Sequence, residues 1–120
     1  GGFIALALAL DTLKKRGELG APVLRDRVAA TSVGHLDELG LALDLVYVED
    51  SKARVDLNLV ATSEGHIIEV QGTAEGAPIA RTELDRMVDL GLDGVRSLCE
   101  LQATTLARAE VDLAALLMPR

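Results

Sequence analysis

The sequence predicts an α+β fold: a buried N-terminal helix, a four-stranded and mainly antiparallel sheet, and a long C-terminal helix. Three observations predict it. Residues 3–10 are apolar without interruption, short runs of strand-forming residues lie between positions 27 and 71, and apolar residues after position 82 recur every three or four residues. With 120 residues, 49% of them apolar, the chain fits a single domain over residues 1–120.

The first helix is predicted over residues 3–15. It is apolar on nearly every side, which is typical of a deeply buried helix. Lys14 and Lys15 lie in its last turn, where positive charge suits the carbonyl end, and Gly17 marks the stop.

Four strands are predicted after this helix. Turn-forming residues separate them, at 37–40, 51–53 and 63–65. Because the connections are short, strands adjacent in sequence are expected to pair as an antiparallel meander. The strands cover residues 27–35, 41–49, 54–62 and 66–71.

The second long helix is predicted to start near Thr82, since Thr82 and Asp85 resemble a capping box, and to end near Arg108. Gly91 and Gly94 either weaken it or permit close approach of a neighbour. One or two further turns are expected in the tail. The apolar face of the helix consists of Leu84, Met87, Val88, Leu92, Val95, Leu98 and Cys99.

The charge balance excludes one class of protein. Nineteen acidic residues against twelve basic ones give a net charge of −7, which argues against a domain that grips nucleic acid through its own positive surface. Nucleic acid as a substrate remains open. The apolar run at 3–10 is far short of the ~20 residues that cross a bilayer. With no recognisable leader and a single cysteine, we expect no membrane association and a cytoplasmic location.

Asp50 and Asp56 form the most informative pair. If the chain turns at Ala53, the two carboxylates face each other across a hairpin, with Cβ atoms ~5 Å apart. Facing carboxylates repel each other, and a hard divalent cation such as Mg²⁺ would relieve that repulsion. Spacing alone favours the simpler interpretation, solvated acidic residues near a turn.

Longer motifs surround this pair, namely Val28-Ala-Ala-Thr-Ser-Val-Gly34, Tyr47-Val-Glu-Asp-Ser51, Val55-Asp-Leu-Asn58 and Ile68-Glu-Val-Gln-Gly-Thr-Ala-Glu-Gly-Ala-Pro78. Together they resemble the ribonuclease PH family over most of the chain. The resemblance implies a phosphorolytic 3′→5′ exoribonuclease that trims tRNA 3′ ends with inorganic phosphate and releases nucleoside diphosphates. It further implies that Asp50 and Asp56 are the catalytic pair and hold Mg²⁺ or Mn²⁺, and that subunits form a hexameric ring.

The resemblance covers only the second half of a ribonuclease PH subunit. The phosphate-binding arginines of that family lie upstream of the position that matches Gly1, so no phosphate-binding residue is expected in this chain. We therefore expect the 120 residues to need the N-terminal half as a partner for activity. Two other hypotheses stay open: a non-catalytic ring or assembly subunit of an exosome-like complex, and a metal-binding domain without a role in RNA chemistry.

Overall fold

The helices and strands follow one another as the sequence predicts, in a computed structural model that describes residues 1–36, 40–43, 55–76 and 78–119. The α+β class, the N-terminal helix and the long C-terminal helix are confirmed. The elements are α1 Gly2–Lys15, β1 Val28–Leu36, β2 Gly40–Leu43, β3 Val55–Thr62, β4 Ile67–Ala74, α2 Arg81–Arg108 and α3 Leu113–Leu116.

The described strands form one antiparallel sheet in the order β2-β1-β3-β4. The predicted meander is therefore wrong at its centre, because β1 lies between β2 and β3. The eleven residues that separate β2 from β3 in sequence are enough to step past one strand. The longer strands β1 and β3 take the central places, where both of their edges are paired.

One face of the sheet packs against α2. Alternate residues of β3 are buried there, namely Val55, Leu57, Leu59 and Ala61, as the period of a half-buried strand requires. Met87 of α2 joins Leu57 in one part of this core. In a second part, the α2 residues Val95 and Cys99 pack against Ala29 and Ala61. The predicted apolar face of α2 thus covers the sheet.

Gly91 lets α2 approach the sheet closely. A Cβ atom at this position would lie 2.8 Å from Leu59 Cδ2, inside van der Waals contact. The buried Thr31 hydroxyl of β1 donates a hydrogen bond of 3.1 Å to the Gly91 carbonyl. The sequence left two roles open for this glycine, weakening the helix or permitting a neighbour to approach closely. The structure shows the close approach.

The start of α2 differs from the prediction. The N-cap residue is Ala80, without a side-chain cap, and its carbonyl accepts from the Glu83 and Leu84 amides at 3.0 and 3.3 Å. Thr82 therefore lies inside the helix rather than at its cap. A capping hydrogen bond contributes only ~1 kcal/mol, so the packing of the apolar face can outweigh it.

α1 packs against α3 and the C-terminal end of α2, away from the sheet. Its buried residues are Ala7 and Asp11, while Leu6 and Leu8 are 50% and 40% exposed. The prediction of a deeply buried helix is therefore wrong: in the part of the chain that the structure describes, only one side of α1 is covered. The described helices include none that is both long enough and apolar enough to span a membrane.

Both long helices end in the same hydrogen-bonded motif. After α1, Gly17 adopts a positive φ of 73°, and the Glu18 amide donates to the Leu13 carbonyl at 2.9 Å. The predicted stop at Gly17 is thus confirmed. After α2, Glu110 takes the equivalent left-handed place with φ 61°, and the Val111 amide donates to the Leu106 carbonyl at 2.9 Å.

Candidate functional site on the open face of the sheet

The face of the sheet opposite α2 carries the polar side chains of β3. Because side chains alternate along a strand, Asp56 and Asn58 point away from the core formed by Leu57 and Leu59. Asp56 is half-buried and Asn58 is exposed. Two residues apart on one face, their Cα atoms lie ~7 Å from each other.

Asp56 has a defined neighbour on each side. It pairs with Gly34 of β1 and with Thr73 of β4. Gly34 has no side chain, so no side chain flanks the Asp56 carboxylate on the β1 side. On the β4 side, Thr73 offers a hydroxyl group. The Oδ1 atom of Asp56 is buried from solvent. The carboxylate is therefore held partly within the sheet surface rather than extended into water.

Asn58 is held by a neighbouring strand. The Ser32 hydroxyl of β1 donates a hydrogen bond of 2.9 Å to Asn58 Oδ1, and the two residues are register partners. On its other side Asn58 pairs with Gln71 of β4. A depression of about 150 Å³ lies beside this pair, lined in part by Ala30 and Val60. A second polar group thus sits next to Asp56 with a small hollow beside it.

The predicted pairing of the two aspartates is wrong as a register. Asp50 lies outside the described residues, but both ladder positions next to Asp56 are taken, by Gly34 and Thr73. The same predicted register would set Val48, which also lies outside the described residues, beside Asn58, but both ladder positions next to Asn58 are taken, by Ser32 and Gln71. Whether Asp50 joins Asp56 at a common ion remains a prediction.

The donor set of this face suits a hard cation. A carboxylate with hydroxyl and amide groups nearby offers oxygen atoms, which Mg²⁺ and Mn²⁺ prefer, and Mg²⁺ needs only one or two protein carboxylates. The described parts of β1, β3 and β4 contribute no lysine or arginine to this face. Among the described residues, no three His, Cys, Asp or Glu side chains converge. A metal at Asp56 would therefore be held by few protein ligands.

Ser32, Asn58 and Gln71 were not predicted as site residues. The sequence held one signal for Asn58, which follows Asp56 by two positions in a strand and so must share its face. Ser32 and Gln71 join the site through the strand order β1-β3-β4. A meander prediction places β1 too far from β3 to bring Ser32 there.

The chain is similar to known proteins over most of its length. Residues 26–94 match the family model described as 3′ exoribonuclease family, domain 2. Ribonuclease PH of Bacillus cytotoxicus is 42% identical over 106 residues, which cover 88% of this chain and 43% of that protein. The protein of the same name from Syntrophomonas wolfei is 46% identical over 106 residues, covering 88% of this chain and 44% of the relative.

A third relative gives the same result. Ribonuclease PH of Parasynechococcus marenigrum is 47% identical over 109 residues, which cover 91% of this chain and 43% of that protein. The chain therefore spans less than half the length of these curated relatives. The family match begins after α1 and α1 lies outside it, while β1, β2, β3 and β4 lie within it.

Proposed function

We propose, since the chain belongs to the 3′ exoribonuclease family through that family's domain 2, that it forms part of a phosphate-dependent 3′→5′ exoribonuclease acting on tRNA 3′ ends. The similarity to three proteins named ribonuclease PH, at 42–47% identity, is the observation that carries the proposal. The position of Asp56 on the open polar face supports it.

In the proposed reaction an oxygen of inorganic phosphate attacks the phosphorus of the last phosphodiester. The bond from that phosphorus to the 3′ oxygen of the preceding nucleotide breaks. The terminal nucleotide leaves as a nucleoside diphosphate, and the shortened RNA ends in a 3′ hydroxyl after its oxygen takes up a proton. Such in-line transfer depends on positioning and on neutralising charge rather than on a covalent enzyme intermediate. No nucleophilic side chain of this chain is required.

The role we assign to Asp56 follows from its place in the sheet. A carboxylate fixed between two paired strands keeps its position as the substrate changes charge, which is what a preorganised site needs. Left alone it would repel an RNA phosphate. Asp56 and, we propose, Asp50 would hold a Mg²⁺ or Mn²⁺ ion, which when bound would supply positive charge to offset the charge that develops on the phosphates.

The remaining parts of the machinery are proposed to come from elsewhere. The described polar face has no basic side chain, so binding of inorganic phosphate is assigned to the portion of the relatives that this chain does not match. We also propose assembly into a hexameric ring and a cytoplasmic location. The net charge of −7 fits a subunit that leaves the positive part of the RNA-binding surface to other segments.

The experiment uses a chimaera in which this chain replaces the matched 106 residues of ribonuclease PH from Bacillus cytotoxicus. Release of nucleoside diphosphate from a tRNA with an extended 3′ end is measured with and without phosphate. We expect release that depends on phosphate, and a loss of at least about 100-fold in the Asp56→Asn variant, in line with the loss of a group that organises transition-state charge. Ser63→Ala, in the β3–β4 turn, is the matched control and should retain the rate.

Two outcomes would contradict the proposal. Equal rates for the chimaera and its Asp56→Asn variant would remove Asp56 from the chemistry. A chimaera that assembles into the ring, binds RNA and yet releases no diphosphate would favour the alternative, a non-catalytic ring subunit of an exosome-like complex. Circular dichroism of each variant separates these results from misfolding.

A further inference from the structure

We propose that the chain forms a symmetric dimer through the outer edge of β4, so that the four-stranded sheets of two copies join into one continuous sheet. The inference goes beyond the proposed function, because neither its argument nor its test involves the reaction. It rests on the exposed edge of β4, on the apolar residues that α2 leaves uncovered there, and on a charge pattern that matches a second copy of the same strand.

The outer side of β4 is open in the part of the chain that the structure describes. β3 pairs with its inner side, and no described strand lies beyond it. All eight of its residues are exposed. Edge strands are commonly protected by lysine, by proline or by a short length, but β4 has neither residue and is longer than the usual length of about five or six residues. Its outer N–H and C=O groups can therefore pair with another strand.

The apolar side chains of β4 show which kind of strand would fit there. Val70 pairs with Leu59, which is fully buried on the face of the sheet that α2 covers. Ile67 pairs in the same way with the buried Ala61. Val70 and Ile67 nevertheless stay 43% and 48% exposed, so the helix layer ends before β4. A further strand that is apolar on this face would extend the core over them.

β4 itself is such a strand, and its single charge decides the register of a dimer. In an antiparallel pair related by a two-fold axis, opposed residues lie on the same face, so one residue must oppose its own copy. With Glu69 at the axis, two carboxylates would repel each other. With Gln71 at the axis, each Val70 would oppose Gly72, and the apolar contact between the two valines would be lost.

The register with Val70 at the axis has neither defect. The two valines then meet on the helix face, and on the polar face each Glu69 opposes the Gln71 of the other copy. An amide can donate a hydrogen bond to a carboxylate, so the symmetry provides this pair twice. Because β4 supplies the donor and the acceptor at matching positions, its edge is complementary to a second copy of this chain.

The first test measures the mass of the 120-residue chain by sedimentation equilibrium over a range of concentrations. All proteins carry Leu6→Glu, so that the exposed side of α1 does not contribute to association. We expect a dimer that Gln71→Glu makes monomeric, because each new carboxylate opposes a Glu69. Adding Glu69→Gln to Gln71→Glu exchanges the two groups and should restore the dimer. Ser97→Glu, which adds the same charge at an exposed position of α2, is the matched control and should leave the dimer unchanged.

The second test reads the register directly. Cys99 is the single cysteine of the sequence, so the variants are made in a Cys99→Ala background. Val70→Cys should form a disulfide between two copies under mild oxidation, because opposed residues of paired strands lie within disulfide reach. Thr73→Cys, also exposed on β4, should not form one, since the two copies of Thr73 would be ~20 Å apart.

The proposal would be overturned by a chain that stays monomeric at every concentration, by a dimer that Gln71→Glu does not weaken, or by equal cross-linking at Val70 and Thr73. Circular dichroism of each variant shows whether the loss of the dimer comes from unfolding instead. Since both tests are done without RNA or phosphate, an inactive chimaera would count against the proposed function alone.

Discussion

Gly91 and Leu59 define how closely the long helix can approach the sheet: a Cβ atom on Gly91 would come within 2.8 Å of Leu59 Cδ2. Both residues are buried. Neighbouring side chains in a packed core cannot easily make room for an added methyl group. The glycine therefore stabilises the fold in spite of its poor helix propensity.

The variant Gly91→Ala is expected to lower the free energy of unfolding by about 1 to 2 kcal/mol, because overpacking outweighs the gain of ~1 kcal/mol in helix propensity. Urea unfolding followed by circular dichroism measures the change. In a Leu59→Val background, Gly91→Ala should lower the free energy of unfolding much less, because valine lacks the Cδ2 atom that the new methyl group would meet. An equal cost in both backgrounds would show that the contact is not responsible.

The left-handed residue after α2 predicts a stabilising substitution. Glu110 adopts φ 61°, a region that costs a residue with a Cβ atom about 1 kcal/mol, while the equivalent place after α1 is taken by Gly17. We expect Glu110→Gly to raise the free energy of unfolding by ~1 kcal/mol and Gly17→Ala to lower it by a similar amount. Urea titrations of the two variants should thus shift in opposite directions. If the urea midpoints of both variants moved in the same direction, the two helices would not share this left-handed C-terminal motif.

Cys99 should make the protein less stable at alkaline pH. Burial raises the pKa of the Cys99 thiol, and the positive charge of Arg27 offsets this in part. The folded state keeps the proton at a pH where the unfolded chain has lost it. The contribution to stability is therefore complete below the unfolded thiol pKa of ~8.5 and is lost as the pH rises through the folded pKa.

The matched variant is Cys99→Ala. Its free energy of unfolding should fall less between pH 8 and 10.5 than that of the parent chain, measured in urea with a reducing agent present. The thiol of the parent chain should also react slowly with a disulfide reagent until the chain unfolds. Rapid reaction in the folded state would contradict the burial of this group between α2 and the sheet.

Manganese gives a test of the metal site that needs no enzymatic turnover. Asn58 is the only asparagine of the sequence, so selective ¹⁵N labelling yields one side-chain amide signal beside Asp56. Addition of Mn²⁺ should broaden this signal and that of Gln71 before that of Gln102, whose Nε2 donates to the Val28 carbonyl from α2. In Asp56→Ala, which adds no further side-chain amide, the three signals should broaden alike. If the three signals of the parent chain also broadened equally, Mn²⁺ would not bind at this face of the sheet.

Local patterns account for what the sequence predicted well. The alternation at Val55, Leu57 and Leu59 identified β3, and the spacing of apolar residues after position 82 identified α2 to its end at Arg108. These patterns depend only on which side of an element is buried. The strand order depends instead on which edges meet, and short connections allow more than one pairing. The site residues Ser32 and Gln71 could not be predicted for that reason.

Strand β4 shows a second limit of local reasoning. It was predicted to end at position 71, before Gly72, but it continues to Ala74. Gly72 pairs with Leu57, and a Cβ atom there would lie 3.1 Å from Leu57 Cδ1. The glycine is thus a place where a neighbouring side chain needs room, not the end of the strand. The added length carries Thr73 to the position opposite Asp56.

The uncovered side of α1 has a consequence for handling the protein. Leu6 and Leu8 face water on a helix with no charged residue before Asp11, so the free energy of the solution falls whenever two such surfaces meet. We expect the 120-residue polypeptide to bind a fluorescent apolar dye and to precipitate at high concentration. Leu6→Glu should suppress both effects.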